Sequence, residues 1–159
     1  MKKLFFVMMI LFAANASIAQ QIKKVKIAEL VKMIDTSTTP LLVNFFATWC
    51  QPCVHEIPWF EKNVAEYKAK GVKLILVSID FVEDYPKGIA DFVKKNNYQS
   101  QVIWLNETNA DLFCPKIDKS WSGAIPVSLM VNNKKHYRKF FGDQVPEPKL
   151  KLALKELVE

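Results

Sequence analysis

The chain has 159 residues, of which 50% are apolar and 24% charged. This composition supports one compact domain and argues against a disordered chain, a collagen or a coiled coil. Three cysteines are too few for a disulfide-rich scaffold. The net charge of +6 is mild, and we predict that its densest basic stretch, 134–139, is the solvated end of a hairpin rather than a nucleic-acid surface.

The start of the chain has the pattern of an export signal. Two lysines precede an apolar run over 4–14, which is shorter than the roughly 20 residues that a membrane-spanning helix needs. Small side chains follow at Ser17 and Ala19, as at a signal-peptidase site. We therefore predict a signal peptide over 1–19, cleaved after Ala19, and a domain over 20–159. A retained N-terminal anchor is the alternative.

Hydrophobic periodicity predicts alternating helices and strands in the rest of the chain. In chain order, the predicted elements are a helix over 27–34, a strand over 41–47, a helix over 50–70 ended by Gly71, a strand over 72–79, a helix over 86–96, a short strand over 102–105, a strand over 125–131, its hairpin partner over 137–141, and a closing helix over 146–158. The segment 106–120 is predicted to be irregular or to contain one or two helical turns. The repeated strand and helix imply a parallel pair joined by a right-handed crossover.

The only close pair of cysteines lies in Cys50-Gln51-Pro52-Cys53, at the predicted start of a helix that directly follows a buried strand. A helix N-terminus carries about half a positive charge and unpaired N–H groups, both of which favour a thiolate. Cys50 is therefore the predicted nucleophile, and Cys53, deeper along the helix, is the predicted resolving thiol. A proline in the first turn removes no helical hydrogen bond, so Pro52 fits its position.

Two alternative roles for the cysteine pair stay open on spacing alone. A zinc site needs two further ligands, for which the chain offers Cys114, His55 and His136. His55, however, falls about 200° around the helix from Cys53. An inert structural disulfide would close a loop too small to gain much chain entropy. Cys114 itself, next to Pro115, fits a buried apolar residue better than a third redox centre, and a regulatory or intermolecular thiol is the alternative.

The segment 45–53, with the sequence FFATWCQPC, resembles the active-site strand and helix of the thioredoxin superfamily. The βαβ opening, the sequence GAIP at 123–126, the hairpin and the last helix follow in the order of that fold. The predicted export signal and the segment 53–58, CVHEIP, are similar to the exported TlpA/ResA-type thiol-disulfide oxidoreductases. The resemblance implies an α/β, thioredoxin-like fold in which a central mixed sheet, built from a βαβ unit and a β-hairpin, is flanked by helices.

The resemblance also implies roles for residues around the cysteine pair. Pro126 matches the cis-proline that faces the pair in this family, and Ile125 would present backbone groups to an extended substrate. Trp49 matches the aromatic rim beside the nucleophile, and Pro52 lies between the cysteines. The predicted substrate-binding residues are Trp49, Pro52, Ile125 and Pro126. Trp121 could line the same groove or have a structural role.

Glu56 lies three residues after Cys53, where ResA-like proteins keep an active-site carboxylate. It could exchange a proton with Cys53 if burial raises its pKa, and an exposed acid favoured by the helix dipole is the alternative. Cytosolic thioredoxins carry a buried aspartate where this chain has Asn44, whose amide does not titrate. The predicted catalytic residues are Cys50, Cys53 and Glu56. Pro58 interrupts the helical hydrogen bonding, as in the kinked active-site helix of the family.

We predict an exported thiol-disulfide oxidoreductase that reduces disulfides of periplasmic proteins, with cytochrome c maturation as one setting. Neither residue between the cysteines is charged, so the thiolate is less stabilised than beside a histidine and the protein should act as a reductant. In this family the electrons come from a membrane thiol transporter of the DsbD or CcdA kind. We expect a monomer with no cofactor, no metal and no nucleic-acid partner.

Two other functions remain open at this point. A peroxiredoxin-like peroxidase shares the fold, but its Pro-x-x-x-Thr-x-x-Cys pattern would fall on Val43, Ala47 and Cys50. A copper-binding module would use Cys50 and Cys53 only as ligands, and a non-enzymatic partner-binding domain would tolerate the loss of Cys50.

Overall fold

The computed structural model describes residues 21–159, and the predicted signal peptide over 1–19 lies outside them. The strands are β1 (Lys23–Val25), β2 (Leu41–Phe46), β3 (Lys73–Ser78), β4 (Gln101–Leu105), β5 (Val127–Asn132) and β6 (Tyr137–Phe141). The α-helices are α1 (Ile27–Asp35), α2 (Gln51–Glu66), α3 (Lys87–Lys95), α4 (Ala110–Ile117) and α5 (Glu147–Val158). Within 21–159, no helix combines the length and the apolar character needed to cross a lipid bilayer.

The six strands form one mixed sheet in the order β1-β4-β3-β2-β5-β6. The first four strands in this order are parallel, and β5 and β6 are added antiparallel as a hairpin. All six residues of β2 are buried, as expected for a central strand covered on both faces. The predicted mixed sheet of a βαβ unit and a hairpin is therefore confirmed.

Alternate residues of β2 project into two separate cores, because successive side chains of a strand point to opposite faces. Leu42 and Phe46 pack in the core that α2, α3 and α5 cover, together with Cys53 of α2. Val43 and Phe45 pack in the opposite core, under α1 and α4. Asn44 shares the parity of Leu42 and Phe46, so its side chain faces α2. This parity brings a polar group of the sheet to the helix that carries the cysteines.

Several elements differ from their predicted bounds. The strand β1 was not predicted, because only one of its three residues is buried and so short a segment has no periodicity. α2 ends at Glu66, and a short 3-10 turn over Lys68–Lys70 precedes Gly71, whose φ of +75° favours glycine. The segment 106–120, predicted to be irregular or to contain one or two helical turns, contains the eight-residue α4 and so agrees with the second possibility. The strand β5 begins at Val127, two residues later than predicted. The basic stretch after β5 is exposed at its tip, as predicted.

Candidate active site

The cysteine pair lies at the N-terminus of α2, immediately beyond the end of the central strand. Cys50 is the N-cap residue, and the backbone N–H of Cys53 donates to its Sγ at 3.3 Å. Cys50 and Cys53 form a disulfide, with their Cα atoms 5.3 Å apart. Cys50 is 6% exposed and Cys53 is completely buried, so an incoming group reaches Cys50 first.

The loop before β5 brings a backbone carbonyl to Cys50. The peptide bond between Ile125 and Pro126 is cis, and the Ile125 carbonyl oxygen lies 3.9 Å from the Sγ of Cys50. Trp121 is buried against Phe45, with 4.5 Å between ring centroids, and its indole N–H donates to the carbonyl of Ala124 at 2.8 Å. Trp121 therefore supports this loop from inside the protein and does not line a groove.

Exposed aromatic rings flank the pair on another side. Trp49 is 54% exposed and stacks on Phe81, itself 64% exposed, with 6.0 Å between ring centroids. Pro52 is also exposed, and its carbonyl accepts a hydrogen bond from the Gln144 side chain at 2.8 Å. An apolar rim thus stands next to Cys50, and the segment between β6 and α5 holds the first turn of α2 in place.

The side chain of Glu56, in the second turn of α2, is completely buried and does not face solvent. One carboxylate oxygen accepts from Nδ2 of Asn44 at 2.7 Å, and the other accepts from the backbone N–H of Val145 at 2.9 Å. Burial raises the pKa of Glu56 to about 7, although both hydrogen bonds oppose this rise. A carboxyl with such a pKa can gain or lose a proton near neutral pH, as acid–base chemistry requires.

Cys114 lies in α4, buried on the opposite side of the sheet from the pair. Burial, with a smaller effect of the Asp111 charge, raises the pKa of its thiol to about 11, so the thiol stays protonated at neutral pH. His55 packs edge-on against Trp59, with 5.0 Å between ring centroids. In the part of the chain from 21 to 159, no group of three His, Cys, Asp or Glu residues is placed to hold a metal ion.

Sequence reasoning missed several residues that build this site. Phe81 completes the aromatic rim, Gln144 and Val145 hold α2 through a distant loop, and Ser128 contacts Asn44 from β5 at 3.0 Å. Asp80, which accepts from the backbone N–H of Thr48 at 2.8 Å, was also missed. It carried one usable signal, because residues that follow the carboxyl end of a parallel strand line the edge of the sheet where binding sites form. The other four residues reach the site only through the fold.

Residues 11–139 match the model of the AhpC/TSA family. The thiol-disulfide oxidoreductase ResA of a Bacillus cereus strain is 29% identical over 119 residues, which cover 74% of this chain and 63% of that protein. ResA of Oceanobacillus iheyensis is 43% identical over 53 residues, which cover 33% of this chain and 28% of that protein. Both alignments therefore span less than two thirds of the relative.

Solved structures agree with the fold described above. A thioredoxin-related protein from Neisseria meningitidis serogroup B superimposes with a TM-score of 0.64 at 24% identity, covering 76% of this chain and 86% of that chain. A thiol:disulfide interchange protein of the thioredoxin family from Chlorobium tepidum TLS gives a TM-score of 0.61 at 18% identity, covering 77% and 81%. The predicted thioredoxin-like fold is confirmed.

Proposed function

This chain belongs to the AhpC/TSA family, and on that premise we propose that it is a ResA-type thiol-disulfide oxidoreductase that reduces disulfides in exported proteins. The observation that carries the proposal is the accessibility of the pair, since Cys50 reaches the surface at the N-terminus of α2 while Cys53 is buried behind it. This arrangement suits a nucleophile and a resolving thiol. The names of the relatives support the same reaction.

In the proposed reaction the reduced protein donates two electrons to a substrate disulfide. The Cys50 thiolate attacks one substrate sulfur, so that a mixed disulfide forms, the substrate S–S bond breaks and one substrate thiolate leaves. Cys53 gives its proton to the Glu56 carboxylate and attacks the Sγ of Cys50, which releases the second substrate thiolate. The protein is left with the Cys50–Cys53 disulfide, and the substrate is reduced.

The residues around Cys50 have separate parts in this reaction. The partial positive charge at the N-terminus of α2 stabilises the Cys50 thiolate. The backbone of Ile125 and Pro126 offers polar groups to an extended substrate chain beside the sulfur, and Trp49 and Pro52 give it an apolar surface. These four residues remain the proposed substrate-binding set.

The proposed direction of electron flow rests on the two residues between the cysteines. Gln51 and Pro52 carry no charge, so the reduced state gains less stabilisation than it would beside a cationic side chain. We expect a reduction potential below about −200 mV, and a value near the roughly −120 mV of strong oxidants would contradict reductase activity. Equilibration with glutathione or dithiothreitol redox buffers measures this potential.

The proposed setting is the periplasm, reached through the signal peptide over 1–19. A reductant in an oxidising compartment must be recharged, and a membrane thiol transporter of the DsbD or CcdA kind is the proposed donor. Cytochrome c maturation is the proposed pathway, and the protein would act there as a monomer. Cell fractionation together with N-terminal sequencing of the isolated protein tests the export and the cleavage after Ala19.

Reduction of insulin disulfides tests the proposed chemistry. We expect Cys50→Ser to abolish turnover, Cys53→Ser to accumulate a mixed disulfide on Cys50, and the matched control Cys114→Ser to retain wild-type rates. Mass spectrometry of the trapped complex identifies the substrate in cells. Full activity of Cys50→Ser would contradict the proposal, whereas a wild-type protein that reduces no insulin disulfides would favour a binding module.

Peroxidase activity, the alternative function, is tested on the same purified protein. Val43 and Ala47 stand where the peroxiredoxin pattern requires proline and threonine before Cys50. We therefore expect the reduced protein to consume hydrogen peroxide no faster than its Cys50→Ser variant does.

A further inference from the structure

The side-chain amide of Asn44 is completely buried and its two ends have unequal surroundings. Its Nδ2 lies 2.7 Å from Oε1 of Glu56 and 3.0 Å from Oγ of Ser128, and 3.5 Å from the carbonyl oxygen of Val127. Its Oδ1 is buried without a hydrogen-bond partner. Buried polar atoms are nearly always paired, so the contacts of the nitrogen must determine how this amide is oriented.

The observed orientation suits an ionised carboxylate. A carboxylate accepts hydrogen bonds but cannot donate them, and Asn44 and Val145 each direct an N–H at a different oxygen of Glu56. If the amide were flipped by 180°, its Oδ1 would face that carboxylate, and the two acceptor oxygens would repel each other. The Val127 carbonyl, which can only accept, lies on the same side as this nitrogen, and the Ser128 hydroxyl accepts from it, so both contacts favour the orientation in which the amide donates to Glu56.

Among residues 21–159, no cationic side chain pairs with Glu56 to stabilise its ionised form. Glu56 forms no salt bridge within residues 21–159, and burial is the largest influence on its protonation. The groups that contact its carboxylate are Asn44 of β2 and the Val145 N–H before α5, and Cys53 precedes it by three residues on the buried face of α2. Two neutral donors therefore oppose the full cost of burying a carboxylate.

We propose that Asn44 and Ser128 are positioning residues for the proton step: Ser128 fixes the Asn44 amide so that its nitrogen donates to Glu56 and keeps that carboxylate able to accept the proton of Cys53. In this step the S–H bond of Cys53 breaks, an O–H bond forms on Glu56, and the electron pair stays on sulfur. The assignment to catalysis rests on the proposed function. The hydrogen bonds that link Ser128, Asn44 and Glu56, called the relay below, do not depend on it.

The titration midpoint of Glu56, read from the 13C shift of its carboxyl carbon by NMR in the oxidised protein, tests the relay. Loss of a donor to the ionised form favours the protonated form, so we expect Asn44→Ala to raise the midpoint by about one pH unit, a tenfold change in proton affinity. Ser128→Ala should raise it by less. Asn132→Ala is the matched control, because this buried asparagine donates to the Leu157 carbonyl and does not contact Glu56.

Activity supplies the second measurement. The acid limb of the pH profile for insulin reduction should move to higher pH in Asn44→Ala by as much as the NMR midpoint moves. An unchanged or lowered midpoint in both Asn44→Ala and Ser128→Ala would overturn the relay, and if Asn44→Ala does not fold, Ser128→Ala decides alone. A raised midpoint without any disulfide reductase activity would keep the relay and refute the proposed function instead.

Discussion

The carboxylate of Asp80 holds Thr48 at two points: the backbone N–H of Thr48 donates to Oδ1 at 2.8 Å, and its hydroxyl donates to the same oxygen at 2.7 Å. The other oxygen of Asp80 accepts from the Ser78 hydroxyl at 2.7 Å. Trp49 and Phe81 are the next residues along the two joined segments, and their rings stack. This hydrogen-bonded clamp joins the β2–α2 and β3–α3 connections through the buried Asp80, and it therefore sets the aromatic rim beside Cys50.

Removal of this clamp should cost stability. Asp80 is 4% exposed and accepts three side-chain or backbone hydrogen bonds, so we expect Asp80→Ala to lower the free energy of unfolding by about 2–4 kcal/mol. Thr48→Val removes only the hydroxyl bond and should cost less. Urea unfolding followed by circular dichroism measures both variants, and equal losses for the two would contradict a clamp centred on Asp80.

Phe81 should affect polypeptide substrates selectively. It is exposed at the rim and contacts Trp49, so loss of its ring removes apolar contact with a chain that extends past Cys50. We expect Phe81→Ala to raise KM for insulin by about fivefold, equivalent to about 1 kcal/mol, and to leave the reduction of oxidised glutathione unchanged. Leu152→Ala, at a similarly exposed apolar residue of α5, is the control. Equal effects on both substrates would exclude a docking role.

Glu56 should make the oxidised protein less stable as pH rises. Its pKa is about 7 in the folded protein against 4.5 for the unperturbed group, so between these values the folded state binds more protons than the unfolded state. Stability from this source is complete below pH 4.5 and is lost as pH rises to 7 and beyond. From about pH 5 to about pH 8 we expect a loss of about 2–3 kcal/mol.

Glu56→Gln removes the titrating group and should remove this loss. Guanidinium unfolding at the same two pH values measures the change for each protein against itself, so a shift in absolute stability of the variant does not interfere. An equal decrease in Glu56→Gln and the wild type would assign the pH dependence to other groups.

Cys114 should be unreactive in the folded protein. Its thiol is buried, with a pKa of about 11, so almost no thiolate is present at neutral pH. Iodoacetamide should label the oxidised native protein near neutral pH far more slowly than the same protein unfolded in guanidinium. Rapid labelling of the native protein would show that α4 opens, and mass spectrometry of the labelled peptide measures the rate.

The local sequence predicted most of the elements and the reactive pair. Four apolar runs indicated the strands from β2 to β5, because a buried strand needs a short continuous apolar segment and little else. The helical spacing of Cys50 and Cys53 likewise needs no knowledge of the rest of the chain. The sequence could not predict β1, since its three residues are a strand only through pairing with β4.

The sequence by itself determined the cysteine pair, its place at a helix start and the presence of a carboxyl one turn later. Only the tertiary structure decided that this carboxyl is buried and which groups face it. The register places Asn44 opposite Ser128, and Val145 reaches Glu56 from 89 residues further along the chain. Local spacing is encoded within one turn of a helix, whereas burial and the pKa of Glu56 depend on strands and loops that only the complete fold brings together.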